Sequence, residues 1–145
     1  MMGAPNHTYT VELLVYARDL IPDRITERTR LQPSRVRAAG SRVGRRVHVN
    51  AVWGFNGAPQ GQSPHWSSLE DGLSFVLDAL GNAQEDLRGC VGAADLIWWC
   101  GHFQSSFDGG PTLSAELVKR LADFGAPLYI DNYFSRPTQA HTLDE

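Results

Sequence analysis

In residues 8–19, TYTVELLVYARD, the chain places Tyr9, Val11, Leu13, Val15 and Ala17 on one side of an extended backbone. Thr10, Glu12, Leu14, Tyr16 and Arg18 fall on the other. The β-branched and aromatic content predicts a strand, mostly apolar on one side. The next segment, IPDRITERTRLQPS, predicts a short helix opened by Pro22 or Asp23 and running through Ile25 and Leu31. Pro33 is expected to end it, because the residue before a proline is pushed out of the α region. SRVRAAGSRVGRR is a loop or ragged strand broken by Gly40 and Gly44, with room for a short strand near residues 34–40. RVHVNAVWGF then alternates, with Val47, Val49, Ala51, Trp53 and Phe55 opposite His48, Asn50 and Val52. That pattern predicts a half-buried strand.

After the Gly- and Pro-rich loop NGAPQGQSP the period changes to that of a helix. Leu69, Leu73, Val76, Leu77 and Leu80 recur at helical spacing, and Phe75 falls off the stripe. Ser67 followed by Glu70 has the form of a capping box, and Gly81 is placed to stop the helix. Ala83 to Leu87 add a further turn. In TLSAELVKRLADFGAP, Thr112 or Ser114 caps a second clear helix, with Leu117, Val118, Leu121 and Phe124 as its apolar stripe. Gly125 and Pro127 end it. Between the two helices ADLIWWCGHF reads as a central strand, apolar on both faces at its start. Leu96, Trp98, Cys100 and His102 share one face; Ile97, Trp99, Gly101 and Phe103 share the other. The face of His102 is expected to open onto a groove. LYIDNYF closes the fold as a short strand.

Alternating strands and helices predict an α+β fold: a two-layer sandwich with one mixed sheet of four or five strands and about three helices. The 145 residues make one domain over residues 8–134, with a disordered segment at residues 1–7 and a loose tail at residues 135–145. Apolar content of 42% and charged content of 20% place the chain among globular proteins. No basic, apolar leader opens it, and no run approaches the roughly 18 apolar residues of a membrane span. Cys90 and Cys100 are too few for a disulfide framework, so the expected compartment is the cytoplasm, with both thiols reduced.

Charge changes this picture more than composition does. Residues 1–50 carry nine Arg against four acids, and residues 51–145 carry four basic residues against twelve acids. Arg24, Arg28, Arg35, Arg37, Arg42, Arg45 and Arg46 form a candidate basic surface. It lacks any nucleic-acid motif and stands beside an acidic remainder, so nucleic acid is not the expected partner.

Candidate chemistry gathers at the end of the central strand. His102 has the residue type of a general base, and His65, Asp108 and Asp131 are its candidate partners. Cys100 is the thiol nearest a histidine, but among Trp98, Trp99 and Phe103 it is expected to be buried and inert. No metal-binding spacing, nucleophile elbow or phosphate loop is present, so neither a metal nor another cofactor is expected. Trp98, Cys100, His102, His65, Asp108 and Asp131 are the candidate ligand or partner site.

Three stretches carry a resemblance. DLIPDRITERTRLQPSRVRAAG, HWSSLEDGLSFVLDAL and TLSAELVKRLADFGAPLYIDNYF, in that order and spacing, resemble elements of a family of small bacterial proteins called domain of unknown function 4279. The resemblance covers residues 8–134 and implies a compact α+β domain of bacterial origin. It supplies no reaction and no catalytic residue.

The expectation for function is a protein-interaction module, not an enzyme, and most concretely an immunity-type protein that neutralises a toxin. The missing catalytic motif, the divided charge and the four tryptophans support it. The alternative is a small enzyme or ligand-binding domain with its site at the end of the strand in residues 95–103. A homodimer is a third arrangement the composition allows. No membrane partner is expected.

Overall fold

The computed structural model describes residues 6–135. Residues 1–5 and 136–145, which hold most of the expected disordered segment and loose tail, lie outside the described residues. His7 does not belong to that segment, because it opens the first strand.

The order is β1 (His7–Ala17), α1 (Pro22–Thr29), β2 (Arg35–Arg37), β3 (Arg42–Val43), β4 (Arg46–Val47) and β5 (Ala51–Phe55). Then follow α2 (Leu69–Leu80), α3 (Ala83–Val91), β6 (Asp95–Gln104), α4 (Ala115–Phe124) and β7 (Leu128–Phe134). Five strands form one mixed sheet, ordered β2-β5-β1-β6-β7. The pairs β2–β5, β5–β1 and β1–β6 are antiparallel, and β6–β7 is parallel, joined by the α4 crossover. β3 and β4 make a separate small hairpin. The chain is thus the expected α+β sandwich, with four helices.

The core lies between one face of the sheet and the helices. Tyr9, Val11, Leu13 and Val15 of β1, Trp53 and Phe55 of β5, and Trp98 and Cys100 of β6 are buried there. Leu69, Leu73, Val76, Leu77 and Leu80 of α2, Leu87 and Val91 of α3, and Leu117, Leu121 and Phe124 of α4 cover them. The period-2 pattern of β1 and the 3.6 pattern of α2 and α4 therefore meet in one layer. Val118, expected on the stripe of α4, is 50% exposed and lies off it.

Several boundaries differ from the sequence expectation for local reasons. α1 ends at an αL residue, Arg30 (φ 64°), whose N–H donates to Thr26, so Pro33 is not what stops it. The strand expected over residues 46–55 divides. His48 donates its N–H to the carbonyl of Ser41, which draws residues 46–48 into the hairpin, and only Ala51–Phe55 joins the main sheet. Ser68, not Ser67, caps α2, accepting from the N–H of Asp71. Glu70 does not close a capping box; its carboxylate accepts from the N–H of Ser114 at 2.6 Å and ties the start of α2 to that of α4. The turn expected after Gly81 is a full helix, α3.

Candidate functional site

The sheet divides the expected site residues between two faces. Residues in register across neighbouring strands share a face. Trp98, Cys100 and His102 align with Leu13, Val11 and Tyr9, which are core residues, so this side of β6 lies under the helices. The expected groove beside Trp98, Cys100 and His102 is therefore filled by the core. The opposite side pairs Glu12 with Trp99 and Tyr129, Thr10 with Gly101 and Asp131, and Thr8 with Phe103 and Tyr133. Asp131 is thus separated from His102 by the thickness of the sheet.

On the covered side His102 is 4% exposed and ends the core at one rim. Its ring stacks on Tyr9, with centroids 4.7 Å apart, and on His7 at 5.1 Å. Its Nε2 lies 2.8 Å from Nδ1 of His7, and its Nδ1 lies 2.8 Å from Oδ1 of Asn132. His7 donates through Nε2 to the backbone carbonyl of Asp108 at 2.6 Å. This chain of bonds ties β1, β6, β7 and the loop after β6 together. Both nitrogens of His102 are engaged within the protein, so neither is directed at an outside ligand. Asp108 enters through its carbonyl, not its carboxylate. His7 and Asn132 escaped the sequence reading, His7 because it lies at the domain boundary and Asn132 because an Asn in a strand carries no periodic signal.

Cys100 is fully buried, and burial pushes its thiol up to about 12. A thiol held protonated in this way is no nucleophile at neutral pH. The indole N–H of Trp98 is buried and meets no acceptor among the described residues. No group of three His, Cys, Asp or Glu residues placed to hold a metal occurs among the described residues.

The open side is aromatic. Trp99 and Tyr129 pack with ring centroids 4.5 Å apart, and Phe103 and Tyr133 stack at 4.8 Å. His65, carried beside β1 by the bridge between Tyr9 and Trp66, lies 5.2 Å from Phe103. Trp99, Tyr129 and Tyr133 keep 38%, 43% and 45% of their surface in water. Between the two ring pairs sits Asp131, whose carboxylate accepts from the Tyr133 hydroxyl at 2.5 Å. That bond, and the nearby negative charge, raise the Tyr133 phenol above its ordinary value. The signal in the sequence was the spacing of Tyr129, Asp131 and Tyr133, which places all three on one face.

Across the sheet the open face changes character. On β2, Arg35 and Arg37 face the same way as Gly54 and Val52 of β5. Arg35 donates to Glu12 at 2.6 Å, and the hydroxyl of Ser34 donates to the same carboxylate. Arg42, Arg45 and Arg46 are exposed on and around the hairpin. Desolvation, and after it the charges of Arg37 and Arg46, hold His48 below its usual range. Arg24 and Arg28 lie instead on α1 in the helical layer, where Arg28 pairs with Asp86. The basic segment is thus confined to the β2–β5 half of the molecule but split between its two layers. β6, α4 and β7 build the other half, with Asp95, Asp108, Glu116, Asp123 and Asp131 against Lys119 and Arg120.

No described helix is long and apolar enough to cross a membrane. Neither the curated proteins nor the solved structures contain a match to this chain. A family model described as Domain of unknown function (DUF4279) matches residues 7–135, which span the sheet from the first residue of β1 to just past β7, and the chain belongs to that family.

Proposed function

We propose that this domain is a protein-interaction module that docks its partner on the open face of the sheet, at the β6–β7 side. The observation that carries this reading is the register of Trp99, Phe103, Tyr129 and Tyr133, which sets four rings side by side on a face that no described helix covers. Exposed Trp and Tyr supply large contact area at small entropic cost, and such residues dominate the energy of protein interfaces. Charge supports the same reading. Acidic groups, Asp95 and Asp131, accompany the rings, while the arginines of β2 and the hairpin lie at the far side. Rings beside carboxylates suit a protein better than a nucleic acid, whose phosphates they would repel. The separated charges would orient an approaching partner. An immunity-type role, with a toxin as partner, is a special case of this reading and depends on the same face.

The test compares retention of cellular proteins on the immobilised domain and two variants. Trp99→Ala with Tyr129→Ala removes one ring pair; Val118→Ala changes an exposed apolar residue on α4. The expected result is a partner held by the domain and by Val118→Ala and weakened about tenfold or more by the double variant. Equal retention by all three, or no retained protein, would overturn the proposal.

A further inference from the structure

β7 is the outer strand of the sheet, and two hydrogen bonds fix how its backbone is turned. Trp98 donates its N–H to the carbonyl of Pro127, and Ser135 donates its N–H to the carbonyl of Gln104. In a parallel ladder alternate residues face the same neighbour. Residues 127, 129, 131, 133 and 135 therefore turn their backbone groups toward β6, and Leu128, Ile130, Asn132 and Phe134 turn theirs outward.

The two edges of the sheet are built differently. β2 is three residues long and carries two arginines, the usual protection against strand addition. β7 is seven residues long, LYIDNYF, with no Lys, Arg or Pro. A segment added antiparallel to it would exchange hydrogen bonds with Ile130 and Asn132. The residue opposite Asp131 would then sit in a non-hydrogen-bonded pair, the type in which side chains come closest, with Cα atoms about 4.5 Å apart.

The chemistry at that position is specific. The Asp131 carboxylate lies between Tyr129 and Tyr133 on the open face and, among the described residues, takes one hydrogen bond, from Tyr133. None of the four ion pairs among the described residues includes it. A guanidinium suits this setting because it can bond the carboxylate in its plane while resting its face on a tyrosine ring. A second copy of β7 suits it less, since pairing in full register would set Asp131 against Asp131.

We infer that the outer edge of β7 takes an extended segment of a partner protein, antiparallel, with an arginine opposite Asp131 and apolar residues opposite Tyr129 and Tyr133. This rests on the open-face reading above and names the partner's anchor.

The probe is the peptide acetyl-Val-Thr-Arg-Thr-Val-amide, titrated into the whole chain and followed by NMR. The expected result is saturable shifts of the Ile130 and Asn132 amides and of the Tyr129 and Tyr133 rings. Citrulline in place of arginine, which keeps shape and removes charge, weakens binding about fivefold or more, and Asp131→Asn does the same. The citrulline arm alters only the peptide, so it holds even if the variant is less stable. Absent shifts at millimolar peptide, or equal binding of the citrulline peptide, overturn the inference. So does concentration-dependent broadening of the Ile130 and Asn132 amides without peptide, which would mark the edge as a contact between copies. A retained cellular partner that needs Trp99 but ignores Asp131→Asn would overturn this inference and leave the open-face reading standing.

Discussion

The hydroxyl of Tyr133 donates to the carboxylate of Asp131, two positions earlier on the same strand, at 2.5 Å. The bond keeps Tyr133 protonated beyond the ordinary phenol range, chiefly because ionising it would break the bond and bring two negative charges together. Asp131→Asn removes the charge and keeps the shape. The Tyr133 ionisation midpoint, measured by ultraviolet absorbance against a Tyr133→Phe reference, is expected to fall in the variant. An unchanged midpoint would mean that the bond is not formed in solution.

The architecture was legible in the sequence because most of it rests on burial. β1, α2, α4 and the outline of β6 follow from periodic apolar positions, and the core uses those positions. The orientation of β6 was not legible. Both its faces are apolar, and only its register against the alternating β1 decides that Trp98 faces the helices and Trp99 faces water. A hydrogen bond from His48 to Ser41 divided the expected strand of residues 46–55, and such pairing leaves no mark in local periodicity. For the same reason residue types alone bring His102 and Asp131 into one candidate site, and only the register of β6 and β7 puts the sheet between them.

Ser68 supplies the cap of α2, and Ser67, one residue earlier, is exposed. Ser68→Ala is expected to cost about 1 kcal/mol of stability by leaving the N–H of Asp71 without its side-chain acceptor. Ser67→Ala is expected to cost a few tenths at most. Urea unfolding of the two variants separates them; an equal loss would place the cap elsewhere.

Gly72 is the fourth residue of α2, inside the helix, where alanine is better by about 1 kcal/mol on helix propensity alone. Here a Cβ would stand 2.8 Å from both Cδ1 of Trp66 and Cγ2 of Val11. Both neighbours are stiff and packed, and overfilling such a contact costs about 1–3 kcal/mol. Gly72→Ala is therefore expected to lower stability despite its propensity. A higher melting temperature in the variant would show that the α2–β1 contact is looser than described.

His102 and His7 are bonded to each other, so their contributions should not add. His102→Leu keeps an apolar side chain at the rim but removes the bonds to His7 and Asn132. Each such bond is worth about 1 kcal/mol net, and the partners, being half-buried or exposed, recover some of it from water. A loss of about 1–2 kcal/mol is expected for His102→Leu and about 1 kcal/mol for His7→Ala. The double variant should lose less than the sum, by about 0.5 kcal/mol or more. Strict additivity in urea unfolding would mean that the two rings do not interact.

Cys100 gives the fold a dependence on alkaline pH. Its thiol stays protonated in the folded protein up to about 12, whereas the unfolded chain begins to lose that proton near the ordinary value of 9.0. The folded state holds more protons in this window, so stability falls as pH rises through it. For one group the slope is at most about 1.4 kcal/mol per pH unit. Cys100→Ala is expected to be less stable at neutral pH, because it leaves a small cavity in the core, and to lose less stability between pH 9.0 and about 12. Cys90 offers an internal control. It is half-buried, and its thiol is raised by burial but drawn down by Arg28. A thiol reagent applied to the folded protein at mildly alkaline pH should therefore modify Cys90 and reach Cys100 only as the chain unfolds. Modification of both at equal rates in the folded state would show that the strand carrying Cys100 opens far more often than its packing against Val11 and the helices implies.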